Sequence, residues 1–235
     1  MVRLYCLLIG YLFGLFQTAY LYGRLLGIDI RNYGSGNAGT TNMLRTLGTR
    51  SGIIVLAGDM LKTVLALWIT ALIFGERYPD QIYLLKMWAA IGCIIGHNYP
   101  FYMKFHGGKG VAVTAGFLCG FHWSYIPVGF LSFMIPWLST HFVSLGSLCM
   151  VTVFYIQLIV MGQCGGYGAA SVGTRLEMYL LGALITGLCW FQHRGNLKRL
   201  RNGSERKTYL GRRNHAALSE EDLEKLKSER GKKGK

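Results

Sequence analysis

An all-α, polytopic integral membrane helix bundle of about seven transmembrane helices is the fold this sequence predicts, and three observations predict it. Hydrophobic residues make up 51% of the 235 and charged residues only 15%, too apolar a balance for an ordinary soluble domain. From Val111 to Thr174 there is no Asp, Glu, Lys or Arg in 64 residues, room for several crossings at roughly 20 residues each. The net charge of +14 is unevenly placed, with 14 of the 25 Lys and Arg lying between His193 and Lys235. A basic soluble chain would suggest a nucleic-acid partner. Here the apolar runs exclude both a nucleic-acid-reading domain and a disordered chain.

The apolar stretches set the elements in order. The first span covers Val2 to Leu26; its apolar residues continue past Ala19 without a small-residue cleavage site, so it reads as an uncleaved helix and not a signal peptide. Further spans fall at Gly52 to Phe74 and Ile82 to Met103. The charge-free block holds two short spans, Val111 to His122 and Tyr125 to Leu138, which could also form a re-entrant hairpin, and a longer one from His141 to Met161. Leu176 to Gln192 is the last. Residues 1–210 thus form a membrane-embedded unit, followed by a charged, basic tail at 211–235. Gly10/Gly14, Gly92/Gly96 and Gly116/Gly120 are small-xxx-small pairs that allow close helix packing.

Lys and Arg between the spans give the orientation. With the N-terminus outside and the C-terminus in the cytoplasm, only Arg3, Arg77, Lys86 and Arg175 fall outside. The six cysteines are scattered singly with no C-x-x-C pair, so neither zinc nor redox chemistry is indicated.

Three polar segments remain, all on the expected cytoplasmic side: GSGNAGTTNMLRTLG (Gly34 to Gly48), KFHGGKGVAVTAG (Lys104 to Gly116) and HRGNLKRLRNGSERK (His193 to Lys207). Glycine lets a backbone approach a ligand closely, and Lys and Arg supply charge, so the combination suits phosphate binding. Each segment alone is also what a basic cytoplasmic loop would look like; three on one face point to a site. Gly34, Gly36 and Gly39 spell a dinucleotide-type G-x-G-x-x-G, but no buried strand precedes them. Gly108-Lys109 is no P-loop, because Gly110 stands where Ser or Thr belongs. Asp59 and Lys62 lie one helical turn apart inside a span, where ionisable groups are costly. His97, just before Pro100, is either a site residue or a helix-end hydrogen bonder.

GSGNAGTTNMLR, GHNYPFYMKFHGGKGVA and HRGNLKRLRNGSE resemble, in order and spacing, the three motifs of the bacterial acyl-phosphate:glycerol-3-phosphate 1-O-acyltransferase family, over about Met1 to Lys207. The resemblance implies a seven-helix enzyme of the bacterial inner membrane with its active site facing the cytoplasm. It would move a fatty acyl group from acyl phosphate to the 1-hydroxyl of glycerol 3-phosphate, giving lysophosphatidic acid and phosphate in the first step of phospholipid synthesis. Its partners would be these two substrates and membrane lipid, with no nucleic acid and no cofactor. The first motif implies Ser35, Asn37, Thr41 and Arg45 as site residues, with Ser35 holding one substrate phosphate and Arg45 gripping another. Lys104, Gly107, Gly108, Lys109 and Gly110 would form a phosphate cradle. His193, Asn196 and Glu205 come from the third motif, Glu205 as a structural partner of basic neighbours; Asp59, Lys62 and His97 would support the site. A substrate phosphate oxygen is the expected proton acceptor, with His193 as the rival.

Independently of the resemblance, an acyl phosphate carries a good leaving group, so positioning and charge neutralisation suffice. No His is followed five residues later by Asp, which argues against acyltransferases that use such a pair on acyl-CoA. The carboxylates do not cluster as a metal site would. The chain departs from the family pattern at Thr63, where glycine is usual, and at Val113, which lacks a hydroxyl; Thr114 is turned about 100° away and a poor substitute. A different acceptor alcohol or acyl donor is one alternative. A carrier or binding protein for a phosphorylated solute is another, though no repeated half is visible.

Overall fold

The computed structural model describes residues 1–209 and Leu218; the expected basic tail, 211–235, otherwise lies outside the described residues. Among the described residues the fold is all-α, with ten α-helices. They are α1 (Val2–Gly14), α2 (Thr18–Leu25), α3 (Thr40–Leu47), α4 (Thr49–Phe74), α5 (Ile82–Asn98), α6 (Val111–Phe121), α7 (Tyr125–Thr140), α8 (Val143–Gln163), α9 (Val172–Gln192) and α10 (Arg194–Arg201). Among the described residues four spans are long and apolar enough to cross a membrane: Val2–Leu25 (α1 with α2), α4, α8 and α9. α5, α7 and α6 are shorter, at 17, 16 and 11 residues.

α5 is the central helix, with twelve of its 17 residues buried, and it packs against α1, α4, α6 and α9. Its seam with α1 is backbone on backbone. A Cβ added at Gly10 would lie 1.9 Å from Ala89 O, and one at Gly92 would lie 2.1 Å from Leu7 O. Gly14 and Gly96 close the same seam. Gly116 does likewise for α6 on α4, a Cβ there falling 2.4 Å from Met60 O. Outward, Leu4, Leu8 and Leu12 on α1, Leu61, Leu65, Trp68 and Leu72 on α4, and Leu176, Leu180 and Leu184 on α9 form exposed rows at helical spacing. Such a belt suits hydrocarbon and not water.

Several boundaries differ from the sequence reading for local reasons. The first span is broken at Leu15–Gln17, directly after Gly14. Gln17 is buried and its Nε2 donates to Gly14 O and His97 O at 3.1 and 3.0 Å, while Lys62 Nζ donates to the freed carbonyl of Phe16 at 2.7 Å. Side chains thus satisfy the backbone groups that the break exposes. α5 ends at Asn98 and not Met103, because the residue before Pro100 is driven out of the helical region. α8 starts at Val143 because His141 is left-handed at φ 64°. α9 begins early, at Val172, behind an N-cap in which Ser171 Oγ accepts from Thr174 N–H. α6 and α7 are two separate helices, with Pro136 inside α7. At the end away from the motifs, Glu177 on α9 pairs with Arg3 on α1 at 2.6 Å and accepts from Trp88 on α5 at 2.8 Å, which ties three helices together.

Candidate active site

All three polar segments converge on one cavity of about 950 Å³. Ser35, Asn37, Thr41 and Arg45 line it from the first, Gly107 to Gly110 from the second, and His193, Asn196 and Glu205 from the third. Asp59 and His97 form part of its floor. Lys104 does not reach the cavity. It follows the turn Phe101–Met103 in left-handed conformation at φ 55° and is exposed, so the structure takes it out of the cradle.

The first segment is shaped by Asn42, in the first turn of α3. Its Oδ1 accepts from Ser35 N–H at 2.9 Å, and its Nδ2 donates to Ile30 O and Tyr33 O at 3.2 and 3.0 Å. Gly34 has φ +60°, and a Cβ there would meet Asn42 Oδ1 at 2.2 Å. α3 starts at Gly39 with no side-chain cap, and Gly39, Thr40 and Thr41 line the cavity. The unpaired N–H groups of its first turn are therefore available to an anion.

The second segment rests on the end of α5. Gly107 N–H donates to Asn98 O and Gly108 N–H to His97 O, at 3.1 and 3.0 Å. A Cβ at Gly107 would sit 2.0 Å from His97 O, and one at Gly108 would sit 2.0 Å from His97 Nε2, so both positions need glycine. Gly110, at φ +80°, starts α6 without a side-chain cap and presents a second helix N-terminus to the cavity. The footing is ionic. Lys62 Nζ lies 2.8 Å from Asp59 Oδ1 and 2.9 Å from His97 Nδ1, and Thr18 donates to Asp59 Oδ1 at 2.8 Å. Lys62 is 4% exposed and Asp59 fully buried, so the pair is a support beneath the loop.

The third segment gathers around Glu205. Its carboxylate accepts from Asn196 Nδ2 (2.6 Å), Ser144 Oγ (2.9 Å) and Arg199 Nε (2.7 Å). Burial alone would lift this carboxyl, but those hydrogen bonds hold it below its ordinary range. Asn196 Oδ1 in turn accepts from Lys109 Nζ. Burial first, then the Arg199 and Arg45 cations, push the Lys109 ammonium down to about 8, against the pull of Glu205. His193 Nδ1 lies 2.8 Å from Cys189 O, a contact that fixes the tautomer with a free lone pair on Nε2. Burial, and then the Lys109 charge, press its pKa down to about 4, so it is neutral near pH 7.

The departures from the expected motifs are buried and lie outside the cavity. Thr63 is buried, its hydroxyl donating to Asp59 O at 3.2 Å. Val113 is in the core, and Thr114 Oγ1 donates back to Gly110 O at 2.8 Å, so Thr114 does not replace the missing hydroxyl. Sequence reasoning missed Asn42, Ser144, Arg199 and Thr208; of these, Asn42 and Arg199 stand inside the quoted motifs and carried a signal.

A cavity that sets Arg45 and Lys109, two open helix starts and the neutral His193 together, beside the apolar side chains of Ile53, Leu56, Phe133 and Phe191, can hold an anion with an apolar tail. The family model described as glycerol-3-phosphate acyltransferase matches residues 4–203. A glycerol-3-phosphate acyltransferase of Halalkalibacterium halodurans is 39% identical over 215 residues, covering 88% of this chain and 95% of that one. Its namesake in Clostridioides difficile is 37% identical over 201 residues, covering 85% and 92%. The crystal structure of PlsY, an integral membrane glycerol 3-phosphate acyltransferase, in its glycerol 3-phosphate form superposes with a TM-score of 0.75 at 29% identity, covering 89% of this chain and 96% of that one.

Proposed function

The chain belongs to the glycerol-3-phosphate acyltransferase family, and from that premise we propose that it transfers a fatty acyl group from acyl phosphate to the 1-hydroxyl of glycerol 3-phosphate. The products are lysophosphatidic acid and inorganic phosphate. Membership of an enzyme family sets the carrier reading aside. The observation that carries the proposal is the convergence of Arg45, Lys109 and two uncapped helix starts on one cavity with apolar side chains beside them.

In this reading Ser35, with Asn37 and Thr41, holds one phosphate group, and Arg45 grips the other together with Lys109 and the cradle of Gly107, Gly108 and Gly110. The acceptor oxygen attacks the acyl carbonyl carbon, the bond from that carbon to the phosphate oxygen breaks, and phosphate leaves with the electron pair. The hydroxyl proton passes to a phosphate oxygen of a substrate or to His193 Nε2. Asn196 and Glu205 hold Lys109 and Arg199 in place, and Asp59, Lys62 and His97 support the loop from below. The mechanism requires no cofactor. On this reading the chain crosses a bacterial inner membrane seven times with its N-terminus outside and its cavity facing the cytoplasm, a reading supported by the distribution of Lys and Arg between the apolar stretches, and residues 1–210 would be the catalytic unit.

Purified protein given palmitoyl phosphate should release phosphate only when glycerol 3-phosphate is present, with lysophosphatidic acid formed in step. Release that ignores the acceptor, or turnover only with acyl-CoA, would refute this donor and acceptor.

A further inference from the structure

The family match ends at residue 203, yet the chain just beyond it reaches back into the site. Residues 204–208 form a strap without regular secondary structure, and Thr208 is 1% exposed. Its backbone is fixed on both sides. Thr208 N–H donates to His141 O at 2.8 Å, and Thr208 O accepts from Trp137 Nε1 at 2.9 Å. Its hydroxyl oxygen accepts from Arg45 Nε at 2.9 Å and also from Nη2, and Nη2 donates to Arg206 O at 2.8 Å.

Every acceptor in this grip is neutral. Arg199, by contrast, is paired with Glu205, Arg3 with Glu177 and Arg31 with Asp29. A carboxylate against Arg45 would orient the guanidinium but also cancel the charge needed by an incoming phosphate. A hydroxyl and a carbonyl orient it and leave the charge intact. They occupy the Nε and Nη2 edge of the planar fork and leave the two N–H groups of Nη1 for an anion.

We propose that Thr208 is a positioning residue for Arg45, and that the strap 204–208 presents the Arg45 guanidinium, still fully charged, to a substrate phosphate. This rests on the reading of Arg45 as a phosphate-binding residue. The strap acts through Arg45 and touches no reacting atom itself.

Thr208→Val keeps the shape and both backbone anchors and removes the hydroxyl. The KM for one phosphate-bearing substrate, palmitoyl phosphate or glycerol 3-phosphate, should rise about 10-fold, the loss of one hydrogen bond to a charged group at the low end of its range. kcat should stay within about two-fold. Thr208→Ser should restore the KM. In an Arg45→Lys background, which has no Nε branch to hold, Thr208→Val should add nothing further. Should Thr208→Val fail to fold, Thr208→Ala, which also removes the hydroxyl, keeps both backbone anchors and puts no added methyl against Arg45, gives the same KM readout. An unchanged KM in the folded variant, no recovery with serine, or a full effect persisting in the Arg45→Lys background overturns the proposal. Loss of activity in Arg45→Ala beside a silent Thr208→Val would leave the acyltransferase reading standing and sink the strap alone. Full activity in Arg45→Ala would sink both.

Discussion

Lys109 Nζ donates to Asn196 Oδ1, and the other end of the same amide donates to Glu205 Oε1 at 2.6 Å. The carboxylate thus orients the lysine through one neutral amide, without an ion pair between them. An asparagine can bridge the two because its amide offers an acceptor and a donor on opposite sides.

That bridge predicts the outcome of Asn196→Asp. The near-isosteric carboxylate would pair with Lys109 and face Glu205, so kcat/KM should fall by about 10²-fold, the order expected when a buried charged hydrogen bond is mispaired. The same change should raise the Lys109 pKa, moving the alkaline limb of the pH profile upward while the maximum drops. A variant with wild-type kcat/KM would show that the bridge is not needed.

Because the Lys109 pKa is lowered to about 8, its ammonium is charged below that pH and loses its proton above it. On the proposed reading, kcat/KM falls as the pH rises through about 8, since the free enzyme then lacks one phosphate-binding charge. Lys109→Arg keeps its charge throughout, so its alkaline fall should be absent up to pH 10 even if its maximum is lower. A wild-type profile flat to pH 9.5 contradicts this.

The support beneath the loop should show in stability. Lys62→Met strands the Asp59 carboxylate, buried beside Thr18 and His97, and should cost about 3–5 kcal/mol, as breaking a buried pair does. The double variant Asp59→Asn with Lys62→Met removes both charges and should recover most of that loss. Thermal midpoints in detergent distinguish the two; equal midpoints for the single and double variants would mean the pair is not coupled.

Two glycines of similar helical context should respond oppositely to alanine. Gly92→Ala places a methyl 2.1 Å from Leu7 O and should destabilise by about 1–3 kcal/mol through overpacking. Gly187 on α9 has nothing within 4 Å of an added Cβ, so Gly187→Ala should be neutral or gain up to about 1 kcal/mol from helix propensity. Equal midpoints would contradict the backbone seam.

Hydropathy was enough to locate the long helices, because a 20-residue apolar run has few other uses, and the small-xxx-small glycines marked seams that do exist. The site was legible as three segments because glycine and cation motifs are local. The break at Leu15–Gln17 was not, since it is stabilised by Lys62 and by the α5 carbonyls, groups far away in sequence. Lys104 lay inside a matching motif yet is exposed and does not line the cavity, following the turn at Phe101–Met103 in left-handed conformation. Asn42 and Thr208 act through hydrogen bonds whose partners only folding brings near; Thr208 also lies past the motifs, where no pattern drew attention to it.

At Gly10, Gly14, Gly92 and Gly96 the α1–α5 seam is backbone against backbone, with no side chain there to flex, and Gln17 staples the end of α1 to the last carbonyls of α5. The two helices are therefore expected to tilt as one strut. When a bilayer thins or thickens, the adjustment falls on helices with softer contacts, and the carbonyls of His97 and Asn98 travel with the strut as a unit. The glycine loop that hangs from them keeps its shape while the lipid around it changes.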